Sequence, residues 1–249
     1  MSGKSLIKKL VNSLGYEIHK RNNQKMEFYK DDLNIINFVK PYTLTSNERI
    51  FALIESVRYI IKNNISGDFV ECGVWKGGSI MTMAKVLLEQ EQKRDIYLFD
   101  TFVGMTKPTD EDKNIIGDKA EDVFEKMKIN DNGSEWCNIS INDVKKNVFS
   151  SGYSNEKFHF IVGKVEETIP SLAPEKISLL RLDTDWYEST KHELIHLFPR
   201  LSKGGIIIID DYWSWSGSRK ATDEYFSQNN ITIFFKTIDP FGGVIGVKM

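Results

Sequence analysis

From Gly67 onward the chain alternates between two patterns of apolar positions. Short runs of β-branched and aromatic residues occupy 68–74, 96–100, 158–162, 177–183, 205–210, 231–238 and 243–248, and they read as strands. Between them, apolar residues recur at helical spacing over 78–92, 141–150, 187–198 and 218–226. Such alternation needs crossover connections, which predicts a mostly parallel sheet with helices on both faces, an α/β fold. The last two runs are separated only by 239–243, which is too short for a crossover, so a hairpin should close the sheet and one terminal strand should run antiparallel to the rest. Ahead of the alternation, 46–64 carries Ile50, Leu53, Ile54, Val57, Ile60 and Ile61 at helical spacing behind a Ser or Thr cap.

Residues 4–16 set Leu6, Ile7, Leu10, Val11 and Leu14 against Lys4, Lys8 and Lys9, the pattern of a short basic amphipathic helix. One short helix holds lipid weakly, so docking on its own domain or on a second copy of the chain is the first expectation and weak membrane association the second. A homo-oligomer fits the former. Residues 20–45 are polar and irregular. The chain therefore divides into 1–45, an amphipathic helix with a polar connector, and 46–249, one α/β domain. Within that domain, about 103–138 holds Pro108, a charged run and a short helical pattern at Ala120–Met127. Polar stretches of this length in compact domains are usually functional, and this one is expected to be a mobile lid.

Charge narrows the partners. With 33 Lys+Arg against 35 Asp+Glu the net charge is -2, so no global field draws nucleic acid or an anionic membrane. Two cysteines, Cys72 and Cys137, exclude a disulfide framework and suit the cytoplasm. No apolar stretch approaches the roughly 20 residues of a membrane span, and a signal peptide's apolar block is missing at the start, so neither a transmembrane segment nor secretion is expected. The four histidines are scattered and offer no zinc spacing.

The stretch 67–79 reads as a strand turning sharply into a helix, with Gly73, Gly77 and Gly78 freeing the turn where open α/β sheets bind ligands. Trp75 stands where a dinucleotide's pyrophosphate would need space, which favours a sulfonium cofactor without phosphates. Glu71 can offset the positive groups of such a cofactor, S-adenosylmethionine, and Asp100 at the end of its strand can accept ribose hydroxyls. Two further strands end in paired acids, Asp183 with Asp185 and Asp210 with Asp211. Neighbouring strands lie about 4.8 Å apart, so these carboxylates should converge and hold a hard divalent ion, Mg2+ or Mn2+. Asp183, Asp210 and Asp211 are the expected ligands, with Asp185 a helix cap. An ion there would bind the acceptor hydroxyl and lower its pKa beside the methyl donor. Trp75, Trp186, Trp213 and Trp215 follow strand ends, and one or two of them are expected to stack on adenine or a sugar face.

Val-Glu-Cys-Gly-Val-Trp-Lys-Gly-Gly at 70–78, Asp-Thr-Phe-Val-Gly at 100–104, Leu-Arg-Leu-Asp-Thr-Asp-Trp-Tyr-Glu-Ser-Thr at 180–190 and Gly-Gly-Ile-Ile-Ile-Ile-Asp-Asp-Tyr at 204–212 together resemble the macrocin O-methyltransferase (TylF-type) family, from about Thr43 to the end. The resemblance implies the Rossmann-like class I methyltransferase fold, whose seven strands end in a hairpin, and methylation of a sugar hydroxyl on a nucleotide sugar, glycan or glycoside with S-adenosylmethionine and magnesium. It implies cofactor contacts at Thr43 and Leu44, at Glu71, Cys72, Gly73, Val74 and Trp75, and at Asp100, Thr101, Phe102 and Gly104; Gly78 and Ser79 complete the cofactor set. Magnesium would lie on Asp183, Asp210 and Asp211. Characterised antibiotic-sugar members resemble one another in a lid histidine that acts as base. Here 133–138 reads Gly-Ser-Glu-Trp-Cys-Asn, so the base is sought in Asp185 or Glu135, with Asp183 also catalytic. Competing readings are a nicotinamide-dependent oxidoreductase, which Asp100 permits and Trp75 disfavours, and a non-catalytic module that binds a glycan or protein on the same fold.

Overall fold

The structure is a computed structural model and describes residues 28–130, 133–240 and 242–249; the helix expected at 4–16 lies outside the described residues. The described strands are β1 (Asp68–Cys72), β2 (Ile96–Asp100), the short β3 (Lys128–Asn130) and β4 (Gly133–Ser134), β5 (Phe158–Val162), β6 (Ile177–Leu182), β7 (Leu201–Ile209), β8 (Lys236–Thr237) and β9 (Val244–Val247). The α-helices are α1 (Lys30–Val39), α2 (Asn47–Lys62), α3 (Gly78–Glu89), α4 (Ala120–Met127), α5 (Ile141–Phe149), α6 (Val165–Thr168), α7 (Tyr187–Leu197) and α8 (Ser216–Gln228).

Seven strands form one sheet in the order β5-β2-β1-β6-β7-β9-β8. The first five are parallel, β9 runs antiparallel against β7, and β8 pairs antiparallel with β9. This is the Rossmann-like class I methyltransferase layout expected from the alternation and the short last connection. Period-2 alternation divides the apolar residues between two cores. Phe69, Leu98, Leu179, Ile206 and Ile208 pack with α1, α2, α3 and α5 on one face. Val70, Phe99, Leu180, Ile207 and Ile209 pack with α6, α7 and α8 on the other.

Helix α2 shows how closely local chemistry set the boundaries. Ser46 accepts from Arg49 N at 3.1 Å, capping the first turn, and Ile50, Leu53, Ile54, Val57 and Ile60 are all buried. Helix α1 falls within the stretch read above as polar connector. Its apolar stripe is only Ile35, Ile36 and Val39, but all are buried in the first core, and buried Asp32 pairs with Arg58 at 2.7 Å. Tertiary packing, not propensity, makes that segment helical. The strand expected at 231–238 keeps only two ladder residues, Lys236 and Thr237. Ile231, Ile233 and Phe235 still alternate inward onto the second core, so the period-2 pattern survives where the ladder does not.

Candidate functional site

Strands β1 and β6 are the neighbours from which the chain leaves in opposite directions, and open α/β sheets bind ligands at the carboxyl ends of such a pair. Close approach shapes this edge. Gly73, at φ +82, stands where an added Cβ would lie 2.0 Å from the Asp183 carbonyl oxygen, so a side chain there would force the strand tips apart. At Gly78 a Cβ would lie 2.6 Å from Thr43 Cβ, and its absence lets residues 42–45 cross the start of α3. A cleft of about 340 Å³ opens above this edge.

Of the residues expected at a cofactor, Thr43, Leu44, Gly73, Val74, Trp75, Gly78, Ser79, Asp100, Thr101 and Gly104 line the cleft. Glu71, Cys72 and Phe102 do not. Cys72 belongs to the second core and Phe102 to the first. Asp100 faces the cleft, but it also accepts from Val74 N at 2.7 Å, Trp75 N at 3.1 Å and Phe102 N at 2.7 Å. It ties two strand tips together, and of the roughly four acceptor positions a carboxylate offers, it keeps about one for a ribose.

Glu71 is spent differently from the expectation. In the parallel register it stands opposite Arg181, and the two side chains form a buried ion pair. Arg181 also donates to Asp183 at 2.7 Å and to Asp210 at 2.6 Å. Asp210 takes a second guanidinium, that of Arg49, at 2.5 Å, and Arg49 donates further to Asp239 at 3.0 Å. Burial nonetheless outweighs the pull of Arg181 and pushes the Glu71 carboxyl up to about 7.

The register Leu182↔Ile209 brings the two acidic tips out side by side, as the sequence implied. The carboxyl oxygens that close on one another, however, belong to Asp183, Asp185 and Asp211, all within 4.8 Å. Asp210, expected among the ligands, is held by its two arginines, and Asp185, expected only as a cap, joins the group. Asp185 sits in the left-handed region at φ 67, a conformation that non-glycine residues adopt rarely and often at functional sites. Asp211 Oδ2 is buried without a hydrogen-bond partner. Burial, reinforced by neighbouring carboxylates, pushes Asp183 and Asp211 well above the usual range and Asp185 up to about 7.

The segment expected to form a lid, about 103–138, lends Gly104, Met105, Thr106, Trp136 and Cys137 to the wall of the cleft. Asp112 anchors it, accepting from Thr109 N at 2.7 Å and from Tyr187 N, at the start of α7, at 2.8 Å. Trp136, from that segment, packs with Trp186 and Trp215 at ring distances of 5.5 and 6.0 Å, and the latter two rings lie 5.1 Å apart. Trp136 and Trp215 line the cleft, whereas Trp186 is buried and donates to Thr106 O at 3.0 Å. Glu135 is exposed and is not among the lining residues, so of the two candidate bases only Asp185 reaches the cleft. Sequence reasoning missed Arg49 and Arg181. Arg181 carried a signal, since a cation inside the apolar run Leu179-Leu-Arg-Leu182 must find buried partners; Arg49 carried none.

Beneath the aspartate loop, fully buried Glu193 accepts from Thr184 Oγ1 at 2.9 Å. Burial holds its carboxyl well above its ordinary value of 4.5. The folded chain thus keeps a proton that the unfolded chain releases, so this group's stabilisation is complete below pH 4.5 and fades as pH rises above it, by up to about 1.4 kcal/mol per pH unit. Glu193→Gln, which cannot ionise, should therefore gain stability relative to the parent as pH rises from 5 to 8. Thermal melts at both pH values test this, and a constant gap between the two proteins would contradict it.

Comparison with known proteins adds three findings. A family model described as Macrocin-O-methyltransferase (TylF) matches residues 6–245. The demethyldecarbamoylnovobiocin O-methyltransferase of Streptomyces niveus is 31% identical over 81% of this chain and 74% of its own, and the mycinamicin III 3''-O-methyltransferase of Micromonospora griseorubida is 30% identical over 81% and 76%. The solved structure of the O-methyltransferase NovP superposes with a TM-score of 0.73 at 27% identity, covering 84% of this chain and 82% of that one.

Proposed function

This chain belongs to the macrocin-O-methyltransferase (TylF) family and is an O-methyltransferase, and from that premise we propose that it moves the methyl group of S-adenosylmethionine to a hydroxyl of a sugar, with a divalent cation, magnesium or manganese, beside the acceptor. Family membership sets aside the oxidoreductase. The observation that carries the reading is the meeting of Asp183, Asp185 and Asp211 at the rim of the cleft.

The residues fit both groups. Thr45 Oγ1 is buried without a partner beside the cleft, ready for a polar ligand such as the methyl donor, which supplies an activated methyl on sulfur and is left as a neutral thioether. Two of the clustered carboxylates, Asp183 and Asp211, the latter with an unpartnered oxygen, offer the hard donors that magnesium or manganese takes. Asp183 and Asp211 would hold the cation, and Asp210, behind them on its arginines, has lone pairs left to join them. Such a cation supplies a lowered pKa at the acceptor hydroxyl.

The remaining work falls to the chain. Asp210 is engaged by two arginines and Asp183 by one, and Asp211 offers its bare oxygen to the cation. Asp185, which no arginine engages and which hydrogen-bonds Asp211, is thus the carboxylate that would take the proton of the acceptor hydroxyl. Trp136 and Trp215 wall the rim and exclude water, and Asp100 fixes the turns against which the donor lies. The two free cysteines suit a cytoplasmic setting, and a homo-oligomer belongs to the same reading, measurable as mass in solution.

The test is transfer of radiolabel from S-adenosylmethionine to a panel of saccharides. Label should enter sugar, stop on addition of a chelator and return with Mg2+ or Mn2+. Undiminished transfer in chelator removes the cation from this account, and transfer confined to non-sugar hydroxyls removes the sugar.

A further inference from the structure

Arg49 stands in the first turn of α2, where the positive end of the helix dipole disfavours a cation, so its place is set by its partners and not by the helix. It has three. Its backbone N–H donates to Ser46 Oγ at 3.1 Å, its Nε to Asp239 Oδ2 at 3.0 Å and its Nη1 to Asp210 Oδ2 at 2.5 Å. Ser46 Oγ donates to the same Asp239 oxygen at 2.5 Å. The side chains of Arg49 and Asp239 are almost wholly buried. The connection between β8 and β9 is shaped to receive them: an added Cβ at Gly243 would lie 3.0 Å from Arg49 Nε, and Asp239 Oδ1 accepts from Gly242 N at 3.1 Å.

These contacts join two sides of the cleft. On one side, Ser46 follows Thr43, Leu44 and Thr45, which line the cleft where they cross the start of α3, and Thr45 Oγ1 is buried there without a partner. On the other, Asp210 follows the end of β7 and precedes Asp211, whose Oδ2 is likewise unpartnered. Arg49 reaches Asp210 only while the first turn of α2 is seated, and the cap of that turn, Ser46, is continuous with the segment 43–45. A planar guanidinium fixes Asp210 and Asp239 at once, which a point charge on a flexible stem does not. Neutralising buried acid does not by itself account for the arrangement, because Asp210 already has a cation in Arg181 and because Ser46 shares the Asp239 oxygen.

We propose that Arg49 is a positioning residue that couples these two sides: a methyl donor that settles residues 43–45 also fixes the Arg49 guanidinium on Asp210, so that the donor and the divalent cation each bind more tightly when the other is present. The inference rests on the donor-and-cation reading above and adds to it a residue that acts between the two sites. The charge of Arg49 opposes the cation to the same degree whether or not the donor site is filled. It therefore cancels from the ratio of cation affinities with and without a donor-site ligand, and that ratio is the coupling.

Calorimetric titration of the parent with Mn2+, alone and with saturating S-adenosylhomocysteine, reads the ratio. Mn2+ should bind about tenfold more tightly with that ligand bound, a usual size for coupling between sites. Arg49→Lys keeps the charge and loses the fork, and Asp239→Asn keeps an acceptor for Gly242 N and loses the ion pair; in both, the ratio should fall to within about twofold of one. A purely structural role would weaken both titrations alike and leave the ratio standing. A parent ratio near one, or a ratio undiminished in both variants, overturns the proposal. Should the parent bind no Mn2+, the cation of the proposed function fails, and the link is still read by amide hydrogen exchange with S-adenosylhomocysteine alone. Slower exchange at Gly242, Gly243 and Val244 that is lost in Arg49→Lys supports the coupling. Exchange there that the ligand leaves unchanged, or slows equally in Arg49→Lys, overturns it.

Discussion

Arg181→Met should cost about 3–5 kcal/mol of folding stability, the usual consequence of stranding buried carboxylates by removing the cation they share. Arg181 is 3% exposed and is shared by Glu71, Asp183 and Asp210; among the described residues Glu71 has no other cation in contact, and Asp210 would keep only Arg49. Against a typical total of about 5–15 kcal/mol, that loss brings the protein close to unfolding at body temperature. The sign of its pH dependence follows from Glu71, whose carboxyl burial already holds at about 7 in the intact network, above its ordinary 4.5. Without Arg181 the folded-state value rises further, so the variant's deficit should be largest at pH 8 and shrink as pH falls toward 5 and the stranded groups protonate. Urea unfolding at both pH values measures this. Adding Glu71→Gln to Arg181→Met should recover part of the loss at pH 8, and a double variant no more stable than the single would place the damage elsewhere. The contacts of Arg181 fix where Asp183 and Asp210 stand, and a buried network of this kind typically contributes little net stability compared with the cost of breaking it.

That arrangement explains which parts of the site could be read from the chain. Asp183 and Asp210 were legible because two acids at the end of an apolar β-branched run cannot belong to a core, and strand adjacency then had to bring them together. Which carboxylates close on one another was not legible, because Asp185 and Asp210 look alike as residues at strand ends. What separates them is Arg49, on a helix, whose second partner Asp239 lies 190 residues away, a pairing that no local pattern encodes. Helix α1 was hidden for a similar reason: its three buried apolar residues become a stripe only against the first core. Trp136 and Cys137 reach the cleft from a stretch past α4 that carries no periodic pattern, where sequence gives no facing direction. The sheet, by contrast, was written in period-2 runs and one short connection, and it was read almost to the residue in β2 and β5.

Asp185→Asn should lower kcat by about 10²–10⁴, the range for loss of a general base, while binding of S-adenosylmethionine stays near that of the parent. The side chain is nearly isosteric, and Asp185 holds its left-handed backbone in a position that asparagine also tolerates, so the fold should survive the change. The variant separates two roles that proximity alone leaves joined, since Asp185 lies within 4.8 Å of both Asp183 and Asp211. As the base, Asp185 is needed for turnover and dispensable for cation affinity, so calorimetric titration with Mn2+ should show a much smaller loss in Asp185→Asn than in Asp211→Asn. Equal losses would make Asp185 a ligand instead. The pH profile gives a second reading. Burial pushes the Asp185 carboxyl up to about 7, and the proposed cation would pull it down, so with the cation bound activity should fall on the acid side at a pH below 7 as the base becomes protonated. The residual activity of Asp185→Asn should lack that acid limb, because no group remains at position 185 to take the proton.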